Sequence, residues 1–198
     1  MTSAAADPAL RRTVARVAAL NLAYFGVEFA VALAIGSVSL VADSVDFLED
    51  AAINLLILMA LGWSPAWRAR VGAALALVML VPAAAFLWTL AGKLAEPVPP
   101  EAFALTLTGA GALAVNLLCA ALLARHRHHG TSLARAAFLS ARNDAAANLA
   151  IIAAGLWTAA QPSIWPDVIV GLGIAWLNLD AAREVWRRAR AEAAEARG

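Results

Sequence analysis

Apolar residues come in six long blocks along this chain, separated by short polar or turn-forming breaks. A helix of about 20 apolar residues is long enough to cross a bilayer. The blocks Val14–Gly36, Val38–Leu61, Val71–Gly92, Phe103–Ala124, Leu133–Trp157 and Ile164–Val185 each reach that length. The breaks carry turn formers: Gly36-Ser37, Ser64-Pro65, Pro97 through Pro100, Gly130-Thr131-Ser132 and Gln161-Pro162-Ser163. This pattern predicts an all-α membrane protein of six transmembrane helices, a single transmembrane domain over residues 1–198, with residues 186–198 as a tail. The stretch from Arg183 to Gly198 is rich in Ala, Arg and Glu and reads as a short amphipathic extension on the anionic cytoplasmic leaflet.

Composition supports the pattern. The chain is 63% hydrophobic and only 15% charged, against about 25% charged residues in soluble domains. Mean hydropathy is +0.74. A formal net charge of +1 gives no sign of a nucleic-acid partner. The single cysteine, Cys119, excludes a disulfide framework and a Cys-rich metal site. Arg11, Arg12 and Arg16 ahead of the first block resemble the start of a signal peptide. The apolar stretch runs past a normal signal core and contains Glu28, so it is read as an uncleaved first span.

The placement of basic residues orients the helices. Arg11, Arg12, Arg16, Arg68, Arg70, Arg125, Arg127, Arg135, Arg183, Arg187, Arg188, Arg190 and Arg197 all fall on one side, and Lys93 alone on the other. Both termini are therefore expected in the cytoplasm. Trp63, Trp67 and Trp186 fall near cytoplasmic ends and Trp88, Trp157 and Trp165 near external ends, as interfacial aromatics do. Trp176 falls mid-span and is expected to pack inside the bundle.

Charged residues inside these blocks change the picture from architecture to chemistry. A charged side chain at the bilayer centre costs at least about 2.5–3.5 kcal/mol on insertion scales, so such residues face the bundle interior and carry function. The second block holds Asp43, Asp46, Asp50 and Asn54, which cluster within roughly 80° of arc at about 100° per residue. Glu49 sits on the shoulder of that stripe. The fifth block holds Ser140, Asp144 and Asn148 on a similarly narrow face, with Asn143 at its edge. The segments Asp50-Ala-Ala-Ile-Asn54-Leu55 and Asp144-Ala-Ala-Ala-Asn148-Leu149 share a pattern. They occupy equivalent places in two three-span halves, which suggests an inverted repeat with its site at the midplane.

Asp46 and Asp50 can share a cation from one helix face, and Asp144 would supply a third oxygen. Ser140, Asn143 or a water could complete four-coordination. Oxygen ligands suit Zn, Mn and Mg, and the lack of thiolates argues against copper(I). Asp43 is expected to cap a helix or bond a neighbour, and Asn116 to bridge helices. Asn21 and Glu28 of the first block are supporting polar groups, and Arg142 is expected to neutralise one of the acids, Glu49 being the candidate.

These residues resemble the cation diffusion facilitators, secondary transporters that export divalent metals, over most of the chain. Ser39-Leu-Val-Ala-Asp43-Ser-Val-Asp46-Phe-Leu-Glu-Asp50 looks like the family's second helix, with its [His/Asp]-x3-Asp ligand pair. Ala137-Phe-Leu-Ser140-Ala-Arg-Asn-Asp144 looks like the fifth, Trp165-Pro166-Asp167 like the opening of the sixth, and Asn21 and Glu28 like the polar positions of the first. The resemblance implies Asp46, Asp50 and Asp144 as ligands of the transport site. Ser140 departs from the family's His or Asp, and Asp46 stands where His marks the usual zinc-selective pattern. It also implies no prosthetic group: the divalent metal is cargo, zinc first, with Mn, Fe, Co and Cd as alternatives. The expected setting is the plasma (inner) membrane, multi-pass, without the family's cytoplasmic C-terminal domain and with a homodimer plausible. His126, His128 and His129, in the loop between the fourth and fifth spans, resemble the family's His-rich loop and could capture metal through neutral imidazole.

The mechanism expected is metal–proton exchange rather than enzymatic turnover. Metal binding needs deprotonated carboxylates and so releases protons. Two rivals are a metal-dependent membrane lipid phosphotransferase and a non-transporting scaffold. Asp43-x2-Asp46-x3-Asp50 partly resembles the CDP-alcohol phosphotransferases, but their motif needs a Gly after the second Asp and a nearby Arg. Here Phe47 follows Asp46, and no Arg follows until Arg68.

Overall fold

A computed structural model describes residues 8–60, 65–124 and 132–178. They form six helices, with no strand among the described residues. In chain order these are α1 (Pro8–Ile35), α2 (Val38–Ala60), α3 (Pro65–Ala95), α4 (Ala102–Ala124) and α5 (Ser132–Ala160), then α6, described over 165–178. The helices outrun the apolar blocks at several ends. Pro8 and Pro65 each open a helix, where a missing N–H costs nothing and the fixed φ is already helical. Pro82 lies inside α3, which continues through it.

The joint between α1 and α2 is two residues long. Gly36 takes a left-handed φ of 62°, and the Ser37 amide donates to the Ala32 carbonyl at 2.9 Å. That is the six-residue closure that ends a helix at a glycine. Ser37 then caps α2, its Oγ accepting from the Leu40 amide at 3.2 Å. At the start of α4 the cap is Glu101, which accepts from the Phe103 and Ala104 amides at 2.9 and 2.5 Å.

Side-chain pairings fix the helix directions. Tyr24 stacks obliquely on Phe47 at 5.0 Å between centroids, so α1 and α2 run antiparallel. Asn116 bonds Asn148, and Gly155 abuts Thr106, so α4 and α5 run antiparallel as well. Small residues let these two helices approach closely. Tyr24 Oη donates to the Thr108 carbonyl at 2.6 Å, joining α1 to α4. Among α1 to α5, the α1–α2 and α4–α5 pairs are the most extensive contacts, α2 also packs on α3, and α2 meets α5 only lightly.

The start of α6 lies on the start of α2. Val38, Ile164 and Val168 are buried together beside Phe86 and Leu90 of α3, while Ile174 joins Leu40, Val41 and Ala42 further along. α6 therefore runs parallel to α2, toward the end of the bundle where α1 begins. At Gly171 the approach is backbone to backbone. A Cβ there would lie 2.8 Å from the Val38 carbonyl carbon and 2.9 Å from the Ser39 nitrogen. Because a backbone cannot step aside as a side-chain tip can, Gly171→Val is expected to displace α6 at a cost of about 1–3 kcal/mol. A lowered thermal midpoint of the detergent-purified protein checks this.

The exterior is apolar and the interior partly polar. Trp88 is 82% exposed, and Leu87, Phe103, Leu107, Trp157, Trp165 and Ile169 are exposed with it. Asn21, Glu28, Asp43, Asn116, Asn148 and Asp167 are buried. A protein folded in water reverses that distribution. Among the described residues two helices, Pro8–Ile35 and Ala102–Ala124, are long and apolar enough to cross a membrane by length and composition alone. α2 carries four acids, and α5 carries Arg135, Arg142 and Asp144 in its first half. Trp176 does not pack inside the bundle as its mid-span position suggested. It is 64% exposed on the outer surface of α6, where an indole meets lipid at little cost.

Candidate metal and proton site

Two polar clusters lie along the inner face of α2. The first belongs to the end where α1 joins α2 and is built on Asp167. Its carboxylate reaches from the first turn of α6 to the first turn of α2 and is fully buried. Oδ1 accepts from Ser37 Oγ at 2.7 Å, Ser39 Oγ at 2.6 Å and the Ser39 amide at 3.1 Å. Oδ2 accepts from the Val38 amide at 2.8 Å. Helix N-termini carry unsatisfied amides and a partial positive charge, so an acid there is favoured twice over. Between them Asp167 and Ser37 satisfy the first three amides of α2. Lys93, within electrostatic range of Asp167, is nearly buried and donates to the Val98 carbonyl at 2.7 Å.

The second cluster begins one turn further along α2. Asp43 is fully buried, and its Oδ2 accepts from Asn148 Nδ2 of α5 at 2.6 Å. The Asn148 carbonyl accepts in turn from Asn116 Nδ2 of α4 at 3.0 Å. Asp43 and Asn116 thus do what their positions suggested: each bonds a neighbour, and together they tie α2, α5 and α4. Glu28 of α1 is fully buried against Asp43, the two carboxyl groups at hydrogen-bonding range. Asn21, two turns before Glu28, is also fully buried, and its Oδ1 lies 3.8 Å from Cys119 Sγ.

Asp46, Glu49 and Asp50 follow on α2, all half-buried. Asp144 of α5, also half-buried, lies within electrostatic reach of Asp46, as do Asp43, Glu49 and Asp50. The acids of helices two and five therefore share one electrostatic neighbourhood. Among the described residues no three His, Cys, Asp or Glu side chains stand close enough to enclose one metal ion. Asn143 is exposed at the edge of α5. The Asn54 amide donates to the Asp50 carbonyl at 2.7 Å, a bond within its own helix. Ser140 and Arg142 lie on α5 with side chains outside the described residues, and His126, His128 and His129 are outside them altogether.

Two pairings were not visible from spacing on single helices. One is Asp167 with the start of α2, 128–130 residues away in sequence. The other is Glu28 with Asp43. The only available signal was that each is an acid within or beside an apolar block, which marks a residue with a partner but does not name it.

No curated protein matches the chain in a sequence comparison. A family model does: the cation efflux transmembrane domain matches residues 14–192, nearly the whole chain. That match spans all six helices, takes in Asp46, Asp50 and Asp144, and agrees with an apolar exterior around buried acids. The chain belongs to the cation efflux family and is a membrane protein of that family of cation transporters.

Proposed function

We propose that the protein exports a divalent metal cation from the cytoplasm in exchange for protons, with Asp46, Asp50 and Asp144 as the ligands that carry the cation. One observation carries this reading: Asp144, on a helix that barely touches α2, lies within electrostatic reach of Asp46. Carboxylates gathered in a low-dielectric interior repel one another, and a dication is the simplest group that converts the repulsion into attraction. Zinc is the first candidate, and manganese, iron(II), cobalt and cadmium suit the same oxygen ligands. Ser140 or Asn143 would serve as a weak fourth ligand, and the histidines at 126, 128 and 129 as a capture point.

In this reading the six helices all cross the plasma membrane and both termini face the cytoplasm. The acids are open to the cytoplasm when metal loads. A small movement of α5 toward α2 closes Asp144 on the Asp46–Asp50 pair, and the opposite opening releases metal as the carboxylates take up protons. Binding metal requires the deprotonated acids, so a proton gradient drives the cycle.

The test is metal uptake into vesicles holding the purified protein under an imposed pH gradient. Wild-type protein is expected to move zinc in a gradient-dependent way, and Asp50→Ala to lose that flux. Flux in Asp50→Ala equal to wild type would overturn the ligand assignment.

A further inference from the structure

Glu28 is a fully buried acid that no hydrogen-bond donor reaches among the described residues. It is 0% exposed, and neither carboxyl oxygen has a hydrogen-bond partner. It is aimed at Asp43, also 0% exposed, whose Oδ1 likewise has no partner. Two ionised carboxylates at this range in a dry interior repel by several kcal/mol, on the order of a Coulomb term at low effective dielectric. One proton shared between them removes that repulsion.

The neighbouring amides decide which acid holds the proton. A carboxylate facing Asn148 takes its N–H side, which turns the Asn148 carbonyl toward Asn116. The donors thus run from Asn116 to Asn148 to Asp43 and end on an acceptor. Hydrogen bonds to a carboxylate favour its charged form. Asp43 receives one, and Glu28 receives none. A proton on Glu28, donated to Asp43 Oδ1, gives both carboxyls of the pair the bond they lack.

We propose that Glu28 and Asp43 form a proton-binding site, with the proton on Glu28 and the negative charge on Asp43, separate from the ligand set at Asp46, Asp50 and Asp144. The titratable groups that reach Glu28 are Asp43 and Asp46 on α2 and Tyr24 on its own helix. α5 adds the neutral Asn148, which bonds Asp43, and α4 the neutral Asn116, which bonds Asn148. Loss of the proton makes the pair a dianion one turn from Asp46. It thereby strengthens the pull on a dication there, and by reciprocity an arriving dication favours loss of the proton. That link to cation movement rests on the transport reading. The proton site itself does not.

The experiment is infrared difference spectroscopy on the full chain in lipid at neutral pH, following the carbonyl stretch of a protonated carboxyl group and its shift in heavy water. The wild type is expected to show a buried acid band that Glu28→Gln loses and Asp43→Asn keeps. Glutamine is isosteric and offers Asp43 the same donor, so Glu28→Gln is expected to unfold at the wild-type temperature. A spectrum of Glu28→Gln identical to wild type overturns the proposal, as does a band lost in Asp43→Asn but retained in Glu28→Gln. In vesicles, Glu28→Gln is expected to weaken the dependence of metal flux on the pH gradient, which the ligand acids alone then carry, and a dependence equal to wild type overturns the coupling. A wild-type protein that moves no metal sinks the transport reading instead, and the infrared result still decides the proton site.

Discussion

Asp167→Ala is expected to destabilise the protein more than any other single change at the α2–α6 contact. The substitution removes the acceptor of two buried backbone amides, those of Val38 and Ser39. Each unsatisfied buried donor costs about 1–3 kcal/mol. The two serine hydroxyls suffer less, because Ser37 Oγ and Ser39 Oγ already lie 3.3 Å apart and can bond each other. The sum is about 2–6 kcal/mol, a large part of a typical folding free energy. Asp167→Asn is expected to fall between alanine and wild type. Its oxygen can keep the three bonds at Oδ1, but its amide then meets the Val38 N–H donor to donor. Thermal unfolding of the three proteins in the same detergent checks the order, and an alanine variant as stable as wild type would refute the account.

Asp144→Ala is expected to abolish the response of the protein to metal. Asp144 is half-buried on α5, within electrostatic reach of Asp46. Changes to groups that merely support a metal ligand cost roughly 10–100-fold in affinity, and loss of a ligand itself exceeds that. A ligand that binds only the folded state stabilises it in proportion to its affinity, so zinc or manganese is expected to raise the wild-type midpoint and leave Asp144→Ala unmoved. An equal metal-induced rise in both proteins would remove Asp144 from the site.

Much of the frame was readable because it rests on local chemistry. Gly36-Ser37 marked a break, and the residues form a glycine helix end followed directly by a serine cap. The apolar blocks located the helices. Their ends were less legible, since hydropathy reports where the chain is greasy and hydrogen bonding continues past that point, as at Pro8 and Pro65. The acids were legible as a stripe on α2 because one helix fixes their angles.

Relations between helices were not legible in the same way. The repeat that aligns Asn54 with Asn148 pairs two residues with different work. Asn54 bonds its own helix, and Asn148 links α4 to α2. The letters agree while the neighbours differ, because the surroundings of each asparagine come from other parts of the chain. Asp167 likewise looked like one acid at a helix start, and its partners on α2 emerge only once α6 is laid alongside.

The joint between α2 and α6 has no slack. Gly171 brings two main chains into touch and Asp167 laces them together at four points, so neither helix can slide or tilt without the other. Any rearrangement of the bundle must carry them as one rigid beam. The boundary between α2 and α5 is by contrast thinly packed among the described residues, and across it Asp46 and Asp144 come within electrostatic reach.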